Sequence, residues 1–217
     1  RTAARCMQVW LASASERRAQ LLNDFGFQVK VEILREHQEI RKCGFTVSQM
    51  VKSICASKVD SAIEEWPSNF DGIAIVADTL VQDPDDAHLA LGQPEDEYSA
   101  VAVLSRLSGR RHAVWSATAL ISKSIIEGDG EELLVSPEWY ARVWLERALV
   151  EIEDLGAHAL DDLVSSGSWK GKAGGYDMAG AMSEYSQLVD GNEMAVLGLA
   201  TGAVQTLHEI TGVNPSE

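Results

Sequence analysis

Ser13-Ala14-Ser15-Glu16-Arg17-Arg18 sets small hydroxyl residues directly ahead of two arginines. If a strand feeds a helix here, the unpaired N–H groups of the first turn form a cradle for an anion. Arg17 and Arg18 would oppose the helix dipole at that end, and an anionic ligand between them would remove the penalty. The same residues also fit an ordinary helix cap with both guanidinium groups in water. Asp78-Thr79 follows the apolar run Ile73 to Ala77. A carboxylate at the carboxyl end of a buried strand can hold a divalent metal, deprotonate a water or cap a turn. Ser168 to Tyr176 sets Lys170 and Lys172 among glycines that let backbone N–H groups approach a ligand closely. It matches neither G-x-x-x-x-G-K-[ST] nor G-x-G-x-x-G, and a plain surface loop is the alternative. Trp169, inside this loop, could touch a base; the other tryptophans read as packing residues.

The elements that must carry these residues alternate. Met7 to Ala12 reads as a strand, Glu16 to Phe25 as a helix closed by Gly26, and Phe27 to Ile33 as a returning strand. Apolar residues from Val47 to Val59 recur at helical spacing, on a helix that carries Lys52 and Lys58 and ends by Pro67. Ile73 to Ala77 reads as a strand buried on both faces and ending abruptly at Asp78-Thr79. Asp83 to Asp86 forms a turn, and Glu95-Asp96-Glu97 opens a helix to Leu107. His112 to Ser122 follows as a strand and Glu127 to Glu132 as an acidic loop. Ala141 to Ile152 is ambiguous between helix and strand, Asp154 to Val164 reads as helix, and Met194 to Ile210 as one closing helix. The alternation predicts an α/β or mixed α+β sheet.

Composition narrows the function. A chain of 217 residues that is 46% hydrophobic suits one large domain, 1–217, better than two small ones. A net charge of -15 disfavours a nucleic-acid polymer or an anionic membrane surface as partner, so an anionic ligand must be attracted locally. Cys6, Cys43 and Cys55 have neither disulfide nor zinc spacing, which fits a reducing, cytoplasmic setting. The apolar run Cys6 to Ala12 is too short for a secretory signal, and no stretch approaches a membrane-spanning length.

In order and spacing these segments resemble the Maf family of nucleotide pyrophosphatases, whose fold is shared with the inosine triphosphate pyrophosphatases. Leu11-Ala12-Ser13-Ala14-Ser15-Glu16-Arg17-Arg18 is similar to L-A-S-x-S-P-R-R, and Ala77-Asp78-Thr79 to G-A-D-T. Gly92-Gln93-Pro94 stands where G-K-P is expected, and Leu107 to His112 resembles L-S-G-R-x-H. Lys172 to Tyr176 resembles K-A-G-A-Y, and Val196 to Leu199 resembles V-V-G-L. The resemblance implies a twisted mixed sheet flanked by helices around a central cleft. It implies hydrolysis of a nucleoside triphosphate to the monophosphate and pyrophosphate, with a divalent cation (magnesium, manganese or cobalt) as cofactor. Ser13, Arg17, Arg18, Lys58 and Lys172 would grip the triphosphate, Asp78 would activate water and bind the metal, and Thr79 would shape the base pocket. Glu36, with Glu39 as the alternative, would be a further metal ligand. A homodimer is compatible with all of this.

Four positions depart from the pattern. Glu16 replaces a proline, Val76 replaces a glycine and would crowd the site, and Gln93 replaces a lysine that contacts phosphate. Ala179 stands where members acting on thymidine and uridine triphosphates carry a base-reading glutamine, so discrimination among bases is expected to be loose or redirected. The competing reading is a nucleotide-binding or regulatory protein that has lost most turnover.

Overall fold

A computed structural model describes residues 7–35 and 43–213. The chain opens with β1 (Gln8–Leu11), α1 (Glu16–Asp24) and β2 (Val29–Val31), a compact β-α-β unit in which β1 and β2 lie parallel. Next comes α2 (Val47–Glu64), started by a capping box between Thr46 and Gln49, and then the long strand β3 (Gly72–Gln82). β4 (Ala90–Leu91) folds back on β3, α3 (Glu97–Leu107) follows, and β5 (Arg111–Ser122), β6 (Glu131–Leu133) and β7 (Tyr140–Ile152) extend the sheet. α4 (Ala157–Ser165), a glycine-rich loop, the edge strand β8 (Ser186–Asp190), α5 (Glu193–Leu197) and α6 (Thr201–Thr211) complete the fold. The strand order is β2-β1-β3-β5-β7-β6, with β4 beside β3 and β8 beside β7. β1 pairs with its neighbours in parallel and the remaining ladders are antiparallel.

The alternation of side chains along β3 sets the layers. Ile73, Ile75 and Ala77 point to one face, where Leu22 of α1 and Ala203 and Leu207 of α6 cover them. Ala74 and Val76 point to the other, against Val51, Cys55 and Val59 of α2. By the same parity Asp78 belongs to the α2 face and Thr79 to the α1 face. β1 accompanies β3 only from Gly72 to Ile75 and β4 joins it only at Val81 and Gln82, so between these points β3 keeps β5 on one side and faces an opening on the other.

The expected mixed α/β fold is therefore present, with several local differences. β3 does not stop at Asp78 but runs on to Gln82, because Thr118 to Val114 of β5 continue the ladder opposite Ala77 to Val81. What ends near Asp78 is the parallel neighbour, β1. Residues 140–152 are strand, with twelve partners along β5 from Arg111 to Ser122 deciding what periodicity alone left open. The acidic stretch 127–132 contributes its end to β6. The expected closing helix is two helices, α5 and α6, broken at Gly198, whose φ of 114° has left the helical region. Val76 is fully buried and packs toward α2 instead of crowding the opening. Trp169 is buried as well, its indole N–H donating to the Val164 carbonyl, so it is not free to stack on a base. Among the described residues no helix is long and apolar enough to cross a membrane.

One buried polar pair ties the glycine-rich loop to the sheet: His112 Nε2 of β5 lies 2.7 Å from the Tyr176 hydroxyl. Burial pushes the imidazole down to about 4 from its ordinary 6.5. Because the folded state disfavours the charged ring, protons bind preferentially to the unfolded chain between these two values, and stability falls as pH drops through that window. Between about pH 7.5 and pH 5 this group should remove about 2 kcal/mol. Urea unfolding of His112→Gln, which keeps a hydrogen-bonding amide but does not titrate, should lose that much less over the same interval. An identical loss in both proteins would remove His112 as the cause.

Candidate functional site

The opening beside β3 is a cavity of about 440 Å³, within the ordinary range for small-molecule sites. Its floor is built where β1 passes into α1. Ser15 caps α1 by accepting the Arg18 backbone N–H at 3.3 Å, and Ser13 Oγ accepts the Ser15 N–H at 3.2 Å. This tight turn fixes the directions of the two arginines. Arg17 leaves toward the glycine-rich loop, where its Nη2 meets Asp177 Oδ2 at 2.6 Å. Arg18 turns inward and is only 9% exposed. Its Nε donates to the Gly198 carbonyl at 2.7 Å, Nη1 to Ser13 Oγ at 3.1 Å and Nη2 to Thr79 Oγ1 at 3.1 Å. Burial pulls the guanidinium below its usual range, and the charge of Asp78, then that of Cys55, opposes this.

Asp78 occupies the other side of β3. Lys58, on the α2 turn that packs there, places Nζ 2.8 Å from Asp78 Oδ1 and 3.2 Å from the Ala77 carbonyl. Both side chains are more than four-fifths buried, with 13% and 14% exposure. Asp78 Oδ2 is buried and has no hydrogen-bond partner among the described residues. Cys55, one turn before Lys58, is held as a thiol: burial, then the charge of Asp78, pushes it up to about 12.

The glycine-rich loop supplies the facing wall. A 3-10 turn at Ala173–Gly175 follows Lys172, and Gly174 lies against Val81 of β3, where a Cβ would approach within 2.8 Å. That contact requires glycine and carries Lys172 into the cavity lining. Lys172 has no ion-pair partner among the described residues. Asp177 then returns the loop to α1 through Arg17, while its Oδ1 accepts the Ala179 N–H at 3.1 Å. Gln93 also lines the cavity, and Ala179 is exposed.

The structure thus brings Ser13, Arg17, Arg18, Lys58, Asp78, Thr79 and Lys172 around one cavity. Glu36 and Glu39 lie outside the described residues. Sequence reading missed Asp177 and Ser116. Asp177 stood next to a matched motif but carried no pattern of its own. Ser116 and Thr118 had a signal, two hydroxyls at alternate positions in the otherwise apolar stretch 113–121 of β5, and both are fully buried.

The donor set bears on a metal. Among the described residues no three His, Cys, Asp or Glu side chains cluster. A carboxylate oxygen left without a partner beside a cavity lined by four cationic side chains nonetheless fits a hard divalent cation, which commonly uses one or two carboxylates together with substrate phosphates.

A dTTP/UTP pyrophosphatase of Burkholderia pseudomallei (strain 1710b) is 33% identical to this chain over 200 residues, covering 88% of this chain and 87% of the relative. One of Aquifex aeolicus is 30% identical over 197 residues, covering 89% and 90%. A solved nucleoside-triphosphatase (dITP/XTP pyrophosphatase) of Mycobacterium abscessus aligns with a TM-score of 0.35 and 17% identity over 70% of this chain and 75% of that one. The Maf-like protein family matches residues 8–210, nearly the whole described structure, and the chain belongs to that family.

Proposed function

We propose that this chain is a nucleoside triphosphate pyrophosphatase, acting as a single domain over residues 1–217. The observation that supports it most directly is the convergence of Arg17, Arg18, Lys58 and Lys172 on a cavity that also holds the half-satisfied carboxylate of Asp78. In a chain of net charge -15, four cations against two carboxylates, Asp78 and Asp177, make a local attractor for polyphosphate. The names of the relatives agree with this reading.

In the proposed reaction a water oxygen attacks the α-phosphorus, the bond from that phosphorus to the bridging oxygen of the β-phosphate breaks, and pyrophosphate departs with the bonding electrons. Asp78 Oδ2 accepts the water proton, while Lys58 holds Oδ1 and so fixes the carboxylate plane. Lys172 and Arg17 take the phosphate oxygens, Arg17 exchanging Asp177 for a ligand oxygen. Ser13 and Arg18 form the floor beneath them, and Thr79 takes part through Arg18. Asp78, with Glu36 as the second ligand that the family resemblance implies, would hold a divalent cation (magnesium, manganese or cobalt), which would supply charge neutralisation and make the attacking water more acidic.

Pyrophosphate release from a panel of nucleoside triphosphates tests the assignment. With Ala179 exposed and without an amide, pyrimidine and purine substrates should differ by less than about tenfold in kcat/KM. Strong selectivity for thymidine and uridine triphosphates would show that other residues read the base, and no release from any nucleotide would favour the binding-only alternative. Asp78→Asn should lower kcat by about 10²–10⁴-fold while leaving KM within a few-fold, because the amide keeps the shape but cannot take the proton; wild-type turnover would remove Asp78 as the base. Gln93→Lys should raise kcat/KM by roughly tenfold to a hundredfold, the effect of one charge-assisted contact. No gain would mean that the phosphates do not reach the Gln93 side of the cavity.

A further inference from the structure

The Arg18 guanidinium sits in a closed circuit of hydrogen bonds. Its Nη2 donates to Thr79 Oγ1 at 3.1 Å, Thr79 Oγ1 is 2.7 Å from Ser116 Oγ, and Ser116 Oγ is 2.7 Å from the Ala195 carbonyl. Its Nε donates to the Gly198 carbonyl, three residues further along the same segment. Chemistry fixes every proton in this chain. A guanidinium can only donate and a carbonyl can only accept. Ser116 must therefore spend its one hydroxyl proton on Ala195, which obliges Thr79 to donate to Ser116 and to accept from Arg18.

The circuit follows from register and from a helix end. Thr79 and Ser116 are direct cross-strand partners in the β3–β5 ladder, so their side chains share a face and meet. α5 ends at Gly198, with the N–H groups of both Gly198 and Leu199 donating to the Met194 carbonyl. The carbonyls of Ala195 and Gly198 thus need other donors, and they receive Ser116 and Arg18, the second placing a cation at a helix carboxyl end. Glycine suits position 198, because its φ of 114° is one that residues with a side chain rarely adopt and a Cβ would lie 3.0 Å from Arg18 Nε.

We propose that Ser116 is a positioning residue of the nucleotide site: acting through Thr79, it holds the Arg18 guanidinium in the one orientation that leaves the second N–H of each Nη for the triphosphate. Thr79 in turn has no proton for the substrate and can offer a ligand only a lone pair. This rests on the function proposed above, but its consequence for anion affinity does not depend on turnover.

The test compares wild type with Ser116→Ala, Thr79→Val and Thr79→Ser by steady-state kinetics with a nucleoside triphosphate, and by calorimetric binding of inorganic tripolyphosphate. Ser116→Ala and Thr79→Val should each raise KM and weaken tripolyphosphate binding at least fivefold, with kcat within about twofold, since an interaction made equally in ground and transition states is lost. Thr79→Ser, which restores the hydroxyl, should recover most of the affinity lost in Thr79→Val. The double variant Ser116→Ala/Thr79→Val should be no worse than the poorer single one, as expected for residues acting in series. Unchanged tripolyphosphate affinity in Ser116→Ala, or additive losses in the double variant, would overturn the proposal. If Ser116→Ala does not fold, Ser116→Cys, which keeps the size of the side chain but donates only weakly, takes its place in the same comparison. A wild-type protein that releases no pyrophosphate but binds tripolyphosphate in a Ser116-dependent way would refute the hydrolase reading and keep the positioning role.

Discussion

A guanidinium cannot be buried in a protein core unless its donors are matched, and the burial of Arg18 is the constraint around which this site is arranged. Each of its nitrogens reaches a different part of the chain: the turn before α1, strand β3 and the end of α5. Through those contacts one side chain holds together elements from the start, middle and end of the sequence. The break between α5 and α6 belongs to the same arrangement, since an unbroken helix would leave no carbonyl at Gly198 for Arg18 to bind.

The second organising feature is the unequal length of β1 and β3. The short parallel partner stops at Leu11 while β3 continues, so both faces of β3 open to the same cavity beyond Ile75. Strand alternation then separates the two halves of the chemistry. Asp78 turns to the α2 face and meets Lys58; Thr79 turns to the α1 face and meets Arg18. Consecutive residues thus anchor two different cations, Lys58 and Arg18, on opposite faces of one strand.

The facing wall is set by different means. The Gly174 backbone packs against Val81 with no room for a side chain, His112 holds Tyr176, and Asp177 reaches across to Arg17. These contacts hold the glycine-rich loop against the cavity and bring Lys172 into its lining. The Arg17–Asp177 pair also sets a carboxylate against one of the four cations that line the cavity, which tempers the local positive field.

Much of this was legible in the sequence, and the reasons are local. Ser13 and Ser15 ahead of two arginines specify a capped helix start, the apolar run before Asp78 specifies a buried strand, and the glycines around Lys172 specify a backbone able to approach closely. What the sequence could not determine depends on partners distant along the chain. Whether β3 ends at Asp78 depends on β5 continuing beside it, and whether residues 140–152 are strand depends on that same neighbour. The division of Arg17 and Arg18 into a loop-facing and a buried side chain depends on Asp177 and Gly198. The role of Ser116 depends on a cross-strand register that no spacing within β5 reveals. Types and local spacing determined which groups were available; the tertiary structure decided which of them share a hydrogen bond, because those contacts join residues up to 180 positions apart.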